Sequence, residues 1–362
     1  MTIEIAPFDT LFFRDGRPFS LGEETWADGI FPPLPSSIYG ALRTAVFAQS
    51  GEAITKANTT DDPTQNLNIL HYCLFCEGKF CYPIPIDLVH LIEISERDKM
   101  EEERKNRFKV FLLSLMKNEF VSSKAYLPYL LSSEKFVESL EQGYISQTSL
   151  EQYLHGLENE FDAFKIDRYI TSEPKIGIAR DDRLHTTQEG RLYRVDMKRA
   201  TNLTLVVEFE GLEKLNPTGF MKLGGEGKVV HYREGSVPKI QQPEIKNKRF
   251  KIYLATPGLL KNGWLPAWID PDTLEGIYPD TQVRVKLITA AVGKHLYVGG
   301  FDMKEKKPKA MRRAVPAGSV YYFEVMDDVA EDQWKLIKAV RFCDYDDLRK
   351  EGFGLTFLGV VE

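Results

Sequence analysis

Leu223-Gly224-Gly225-Glu226-Gly227-Lys228 runs directly into Val229 to Arg233, a segment that reads as a strand, and the same order returns at the end of the chain. There Gly352-Phe353-Gly354 leads into Leu355 to Val361, again a strand. A helical or turn segment precedes each glycine run, Gly211 to Lys222 in the first case and Asp344 to Lys350 in the second. Helix or turn, glycine-rich loop and strand, met twice, amount to an internal repeat. Units of the βαββαβ kind end in such a feature, so the predicted fold class is α+β, with two tandem ferredoxin-like (RRM-like) domains.

Working outward from the first glycine run, residues 2–7 read as a strand and so do Arg191 to Arg199 and Leu203 to Glu210. Ser36 is placed to cap a helix whose apolar positions Ile38, Leu42, Ala45 and Val46 recur at helical spacing. Phe80 to Asp87, interrupted by Pro83 and Pro85, suits an edge strand or extended segment. Residues 96–164 change character. A dense run of mixed charge, Glu96 to Lys109, is followed by Phe108, Phe111, Leu112 and Leu115 on one helical face. Leu150, Tyr153, Leu154, Leu157 and Phe161 mark another face, with Thr148 and Glu151 spaced as a capping box. The pattern predicts a helical insertion at about 96–164 within a first domain of residues 1–240. A second domain covers 241–362, and the break falls in the Pro-, Gln- and Lys-containing stretch Pro238 to Lys248.

The chain has 362 residues, enough for about two domains with cores of their own. No apolar run approaches the roughly 18 to 20 residues that cross a bilayer. The N-terminus lacks the basic start and apolar middle of a signal peptide, so a cytoplasmic protein with no membrane partner is expected. The formal charge of −6 excludes a general nucleic-acid coat but not a local cationic surface, since fields are screened within about 10 Å. Lys222 to Lys251 holds eight cations against three acids. Phe301 to Ala314 carries Lys304, Lys306, Lys307, Lys309, Arg312 and Arg313 against Asp302 and Glu305. This second cluster lies just before the Pro316-Ala317-Gly318 turn and a β-rich run, which presents cations at a strand end without any acid, base or nucleophile.

Glycines at 224, 225 and 227 remove the side chains that keep a backbone away from a ligand, and successive amides in such a turn can point at phosphate oxygens. Lys228, His231 and Arg233 add charge and donors beside them. The same glycines equally suit a tight turn that needs positive φ. Neither a Walker loop nor a dinucleotide fingerprint is present. Cys73-x-x-Cys76 with Cys81 and nearby His71 has zinc-like spacing but lacks a second ligand pair, and its apolar surroundings favour packed thiols over a metal. The acid pairs Asp181-Asp182 and Asp346-Asp347 sit beside arginines and read as solvated ion pairs. His185 and His231 are the candidate general bases. Aromatic–cation neighbours at Phe12-Phe13-Arg14, Tyr193-Arg194 and Tyr232-Arg233 would suit unstacked bases of single-stranded RNA.

Several segments together resemble one family. They include Asp9-x-x-Phe12-Phe13-Arg14-Asp15-Gly16-Arg17-Pro18-Phe19, Phe31-Pro32-Pro33-Leu34-Pro35-Ser36-Ser37-Ile38-Tyr39-Gly40 and Tyr82-Pro83-Ile84-Pro85-Ile86-Asp87. Pro174 to Ala179, Gly190 to Tyr193, the Leu223 to Lys228 loop, Tyr253 to Pro257, Gly299 to Asp302 and Lys307 to Tyr321 complete the set. The chain resembles the third, RAMP-superfamily subunit of the type III-B CRISPR Cmr effector complex. The insertion and the cysteine cluster fall outside the family pattern. The resemblance implies two ferredoxin-like domains, no nuclease activity and no cofactor. It also implies a place beside the large palm-domain polymerase subunit and the backbone RAMP subunit, where the chain helps hold the 5′ repeat-derived tag of the guide RNA. The residues expected to grip RNA are Arg14, Arg17, Gly224, Gly225, Gly227, Lys228, Arg233, Lys307, Lys309, Arg312 and Arg313, while Gly352 to Gly354 is assigned to the fold. The alternative is a metal-independent endoribonuclease of the same superfamily that processes repeat RNA, using His185 or His231 near a Tyr or Lys. A purely structural adaptor is the third reading.

Overall fold

The computed structural model describes residues 1–14, 26–27, 29–50, 54–92, 95–117, 127–180, 187–302 and 307–361. Two antiparallel sheets organise them. The strands of the larger are β1 (Thr2–Pro7), β2 (Asn68–Cys76), β3 (Lys79–Pro83), β4 (Leu88–Leu91), β5 (Phe108–Leu112), β6 (Val137–Ser139), β7 (Gly143–Ser146), β8 (Glu160–Lys165), β9 (Leu203–Glu210), β10 (Thr218–Lys222) and β11 (Val229–Glu234). They lie in the order β10-β11-β1-β9-β2-β3-β7-β8-β5-β4-β6. The smaller sheet comprises β12 (Arg249–Leu254), β13 (Glu275–Ile277), β14 (Arg284–Ala291), β15 (Val320–Val325) and β16 (Thr356–Val360), in the order β13-β14-β15-β12-β16. A strand order is shared between them. In β11-β1-β9-β2 and again in β16-β12-β15-β14, the fourth strand of the set lies beside the first, then the third, then the second.

Helix α1 (Pro35–Ser50) covers one face of the first unit, with Ile38, Leu42 and Val46 fully buried against Ile3, Ile5, Leu205 and Val207. This is the amphipathic stripe that the sequence spacing predicts. The glycine loop differs from expectation at its entry, because the element before it is strand β10 and not a helix or turn. At the C-terminus the short helix Asp346–Lys350, the turn and strand β16 follow in the expected order.

Residues 96–164 are not a helical insertion. Among the described residues of this stretch there are two helices, α2 (Glu96–Lys105) and α3 (Gln147–His155); most of its strands extend the large sheet, and Ser114–Lys117 pairs with Tyr129–Ser132 apart from it. Phe108-Lys109-Val110 alternates buried, exposed, buried, and this period of two overrides the three-to-four spacing of Phe108, Phe111, Leu112 and Leu115. Helix α3 ends at Gly156 in the left-handed region, so Leu157 and Phe161 lie beyond it. Its cap is Ser146, whose Oγ accepts from Ser149 N at 3.2 Å, and not Thr148. Glu151 instead accepts from Gln147 Nε2 and from Gln241 N, each at 3.1 Å. Strand β3 is likewise no edge, since it pairs with β2 on one side and β7 on the other.

The two sheets share a core. Tyr82, Ile84, Leu150, Tyr153 and Phe161 pack with Tyr253, Ile288, Val320, Tyr322 and Phe357 of the smaller sheet. At its centre Asp87 is 0% exposed, and its Oδ2 accepts from Tyr153 Oη at 2.7 Å and from Tyr322 Oη. Lys251, also buried, sits with Nζ 3.5 Å from the Tyr153 ring centroid. Backbone contacts continue the seam: Ile86 N donates to Gly318 O at 2.8 Å, and Tyr253 Oη to Pro83 O at 2.6 Å. A Cβ on Gly318 would stand 2.4 Å from Ile84 O, so only glycine allows this approach.

Replacing Asp87 by Ala leaves two buried phenols without an acceptor, at about 1–3 kcal/mol each. Urea denaturation of Asp87→Ala is expected to show a loss of roughly 3 kcal/mol or more, whereas Asp87→Asn, which keeps an acceptor oxygen, loses much less. A second measurement concerns His71 of β2, buried against Tyr82 and Phe357. Burial, reinforced by the Arg341 charge, lowers its pKa to about 4. Its contribution is therefore fully present above the ordinary histidine range and is lost as pH falls from 6.5 towards 4, by up to about 3 kcal/mol. Denaturation curves at pH 7 and pH 4.5 should differ less in His71→Gln than in the parent protein.

Candidate nucleic-acid interface

The β10–β11 hairpin carries the glycine loop, and its geometry is set by the chain it crosses. Leu223, fully buried, donates its N–H to Lys228 O at 3.1 Å, and Gly225 N–H donates to Phe12 O at 2.8 Å. Gly224 has φ +80°, and a Cβ there would stand 2.4 Å from Phe12 O. Two of the three glycines thus answer to packing against Phe12 and Phe13, and the Gly225 amide is already spent within the fold. Gly227, at φ +65° with open space around it, faces outward.

The cations beside this loop are held by acids. Lys228 Nζ lies 2.9 Å from Asp9 Oδ2, and Arg199 Nη2 lies 2.9 Å from Asp9 Oδ1. The Lys228 ammonium holds the Asp9 carboxyl down at about 2. Arg199 also pairs with Glu173, Lys175 with Glu226 at 3.2 Å, and Arg233 with Glu4 at 2.8 Å. Arg14 is exposed and bridges its backbone to Gly29, while Arg17 lies outside the described residues. The first-unit rim is therefore charge-compensated around the loop.

The basic segment of the second unit is built differently. Leu296–Val298 pairs with Arg312–Ala314, and Phe301–Asp302 pairs with Lys307–Pro308, making a two-stranded ribbon. Arg313 stands opposite Tyr297 in register, is exposed, and makes no ion pair among the described residues. Tyr297 is 45% exposed and packs edge-on with His295 at 5.0 Å. Phe301 and Met311 are also exposed on the ribbon. Neighbouring residues anchor it: the Arg312 guanidinium lies 4.1 Å over the Tyr345 ring, and Lys309 Nζ lies 3.3 Å from Glu351 Oε1. Lys307 is exposed in the same ribbon. No hydrogen bond or ion pair joins this ribbon to the glycine loop among the described residues.

Against that geometry the chain was compared with known proteins. The family model described as CRISPR-associated protein (Cas_Cmr3) matches residues 3–361. The chain belongs to this family. No curated protein matches it. Among solved structures, a chain of the Type III-B Cmr-beta complex bound to cognate target RNA and AMPPnP is similar, at 17% identity and a TM-score of 0.51, over 89% of this chain and 86% of that one. A second structure of Cmr-beta bound to cognate target RNA gives 17% identity and 0.49 over the same shares. A chain of the Csm3-Csm4 subcomplex of the type III-A interference complex gives 14% and 0.36, over 91% and 95%. The first of these likenesses supports a mixed α/β fold, dominated by antiparallel sheet, of the kind found in such subunits.

In this Cas_Cmr3 chain the sequence-based aromatic candidates are mostly core. Phe12 and Phe13 are buried and Tyr232 is completely so, while the Tyr193 side chain lies outside the described residues. Exposed rings occur elsewhere. Phe8 and Phe220, at 62% and 63% exposure, form a triad with His231 at centroid separations of 5.4–6.2 Å. Alternation along β10 places Thr218, Phe220 and Lys222 opposite buried Met221, a signal that needs the hairpin register to be read. His231 Nε2 contacts Thr218 Oγ1 at 3.2 Å, and its ring contacts are phenyl groups. His185 and the pair Asp181-Asp182 lie outside the described residues. Asp346 lies 3.7 Å from Arg349 across one helical turn.

The Cas_Cmr3 cysteines divide between two faces of the large sheet. Cys73 joins the core shared with the smaller sheet, and Cys76 and Cys81 join the core under α1. Burial pushes the Cys73 and Cys76 thiols up to about 12, and Cys81 upward as well, so all three stay protonated at neutral pH. A thiol set split across a sheet packs as apolar side chains, not as a ligand cage.

The Lys228–Asp9 pair is testable directly. In Lys228→Ala the Asp9 carboxyl should rise from about 2 towards its ordinary 3.8. Carboxyl NMR titration between pH 1.5 and about 5 reads this shift. An unchanged Asp9 titration would mean that the pair is not formed in solution.

Proposed function

We propose that this chain is a non-catalytic RNA-binding subunit of the type III-B CRISPR (Cmr) effector, the third, RAMP-superfamily member of that complex. In this reading it acts in the cytoplasm and helps hold the 5′ repeat-derived tag of the guide RNA. It meets the large palm-domain polymerase subunit and the backbone RAMP subunit. Membership of the Cas_Cmr3 family supports the assignment to the effector. The shared strand order supports two ferredoxin-like units, at residues 1–240 and 241–362, in which helices between strands have been shortened or replaced by loops.

One observation carries the RNA reading: the 296–314 ribbon presents Arg313 unpaired among the described residues, directly across from half-exposed Tyr297. A guanidinium meets a phosphate through a planar fork, and a tyrosine ring offers a stacking surface to any base. Lys307 extends the cationic edge, while Lys309 is engaged by Glu351. By contrast Lys228 and Arg233 are engaged with Asp9 and Glu4, so the glycine loop acts mainly by holding Phe12 and Phe13 in place. The endoribonuclease alternative would need His185, which lies outside the described residues, or His231 to activate a ribose hydroxyl beside a Tyr or Lys, and only His231 can be placed. Its partners, Thr218 and two phenyl rings, do not supply that arrangement.

Titrating the full chain with RNA carrying the 5′ tag at several salt concentrations tests the reading. Arg313→Ala should weaken binding and lower the salt slope by about 0.7, the value for one phosphate on a single strand. Tyr297→Ala should cost about 1–3 kcal/mol with the salt slope unchanged. Lys228→Ala should change affinity by less than about twofold, as for a cation already paired at the surface. Equal losses in all three variants, or none in the first two, would remove the ribbon from the interface.

A further inference from the structure

Where the two units meet on the side of β2 and β16 there is a cleft of about 250 Å³, away from the ribbon and the glycine loop. Leu70, Ala255, Leu355 and Phe357 give it apolar walls, while Arg341, His71 and Gln242 bring polar groups to it. No acidic side chain lines it.

Arg341 is the unusual member. Its Nη2 donates to Ile69 O at 2.7 Å, but its Nη1 is buried and has no hydrogen-bond partner among the described residues. The carbonyl it uses borders a β-bulge. Glu208 faces His71 and Phe209 faces Ile69, so Leu70 has no partner on β9, and such irregularities gather beside binding sites. The charges near Arg341 do not neutralise it: Arg349 is a second cation, and Cys343 is a buried thiol kept protonated. A half-buried guanidinium whose Nη1 is buried, idle and without a carboxylate is costly unless something anionic completes it.

The other polar groups are donors too. Gln242 Oε1 accepts from Leu358 N at 2.7 Å, which turns the Nε2 end away from that bond and leaves it without a partner among the described residues. His71 Nε2 lies 2.8 Å from Tyr82 Oη. Where the Tyr82 phenol donates to Nε2, the histidine proton sits on Nδ1 and the ring is a donor to the cleft. Burial keeps the ring neutral, and the site is a set of N–H groups with one fixed positive charge.

We propose that this cleft binds a small oxyanion of the phosphate class, with Arg341 as its charged anchor and Gln242 and His71 as accessory donors. Three N–H groups on three separate segments suit a tetrahedral anion with several oxygens better than a planar carboxylate, which offers two. The ligand bridges the two units, since His71 belongs to the first and Arg341 to the second, and its binding should tighten their junction. This does not depend on the RNA reading of the ribbon.

The test uses the full chain and isothermal titration calorimetry, with thermal unfolding alongside. Inorganic phosphate, adenosine monophosphate, adenosine and acetate are the probes. Saturable one-site binding of phosphate, of the monophosphate or of both is expected, with a rise in Tm and no binding of adenosine. Tighter binding of the monophosphate would identify a nucleotide-borne group, and tighter binding of the inorganic ion a free one. Arg341→Met should weaken binding by at least about tenfold, the loss of a charged hydrogen bond. Gln242→Ala removes the Nε2 donor together with the acceptor of Leu358 N, so its fold is checked by circular dichroism, and it should weaken binding by about threefold. Absence of saturable binding in the parent chain, acetate binding as tightly as phosphate, or unchanged affinity in the Gln242 variant would each overturn the proposal.

Discussion

A single carboxylate buried between two sheets fixes how the two units of this protein sit. Asp87 lies on the connection from β3 to β4, and the phenols it accepts from belong to α3 on one side and β15 on the other. A buried carboxyl is costly unless donors reach it, and here hydroxyls from both units donate to Oδ2, while Oδ1 has no partner among the described residues. A different docking of the second unit would take away the Tyr322 donor and leave only the Tyr153 bond. Apolar contact in the shared core supplies most of the attraction, but contact of that kind is tolerant of small rotations. The Asp87 geometry is not, so it selects one arrangement from among several that bury similar area. The buried Lys251 over Tyr153 works in the same direction, since a desolvated cation is held where a ring face is available.

With the junction fixed, the two glycine-rich features fall into comparable roles. Gly224 and Gly225 let the β10–β11 hairpin cross Phe12 at contact distance. Gly354 lets the last turn pass the Phe342–Cys343 backbone, where a Cβ would stand 2.4 Å from Phe342 C. Gly352, at φ +97°, brings the same turn against Ile69 and Pro35 of the first unit. Both loops serve chain crossing. The internal repeat seen in the sequence is therefore a repeat of construction, and ligand contact need not follow it. The exposed guanidinium arises instead on the ribbon between β14 and β15; between β2 and β9 of the first unit the corresponding place holds the paired strands Ile170–Arg180 and Thr187–Ala200.

Much of the frame was legible in the residues because it rests on local periodicity. The stripe of α1, the strands at Leu203–Glu210 and Val229–Glu234 and the closing strand follow from patterns a few residues long. What escaped depends on partners distant in sequence. Phe108 to Leu115 has both helical and strand spacing, and only pairing with β8 and β4 decides for the strand. Phe80 to Pro83 carries no local sign of an interior strand, since the partner that makes it one is β7, about sixty residues on. Charge suffers most. Lys228 and Asp9 are far apart in the sequence, as are Arg233 and Glu4, so a count of cations along the chain overstates the positive surface near the glycine loop. At the ribbon the count survives for Arg313, since that residue faces Tyr297 and makes no ion pair among the described residues.

That contrast bears on how an acidic protein can hold an anionic ligand. At a formal charge of −6 the long-range field opposes RNA, and a diffuse basic surface would be partly cancelled by the acids around it. Pairing the cations of the first unit with near neighbours removes them from competition and leaves that rim close to neutral. The cation that stays unpaired on the ribbon then acts within a Debye length, where the distant acids count for little. On the proposed RNA reading, an aromatic ring in register with it would add affinity that salt does not screen, since stacking depends on contact and not on charge. An interface made this way is narrow and depends on orientation, as it must be if one end of a single strand is to be held in a defined place rather than coated.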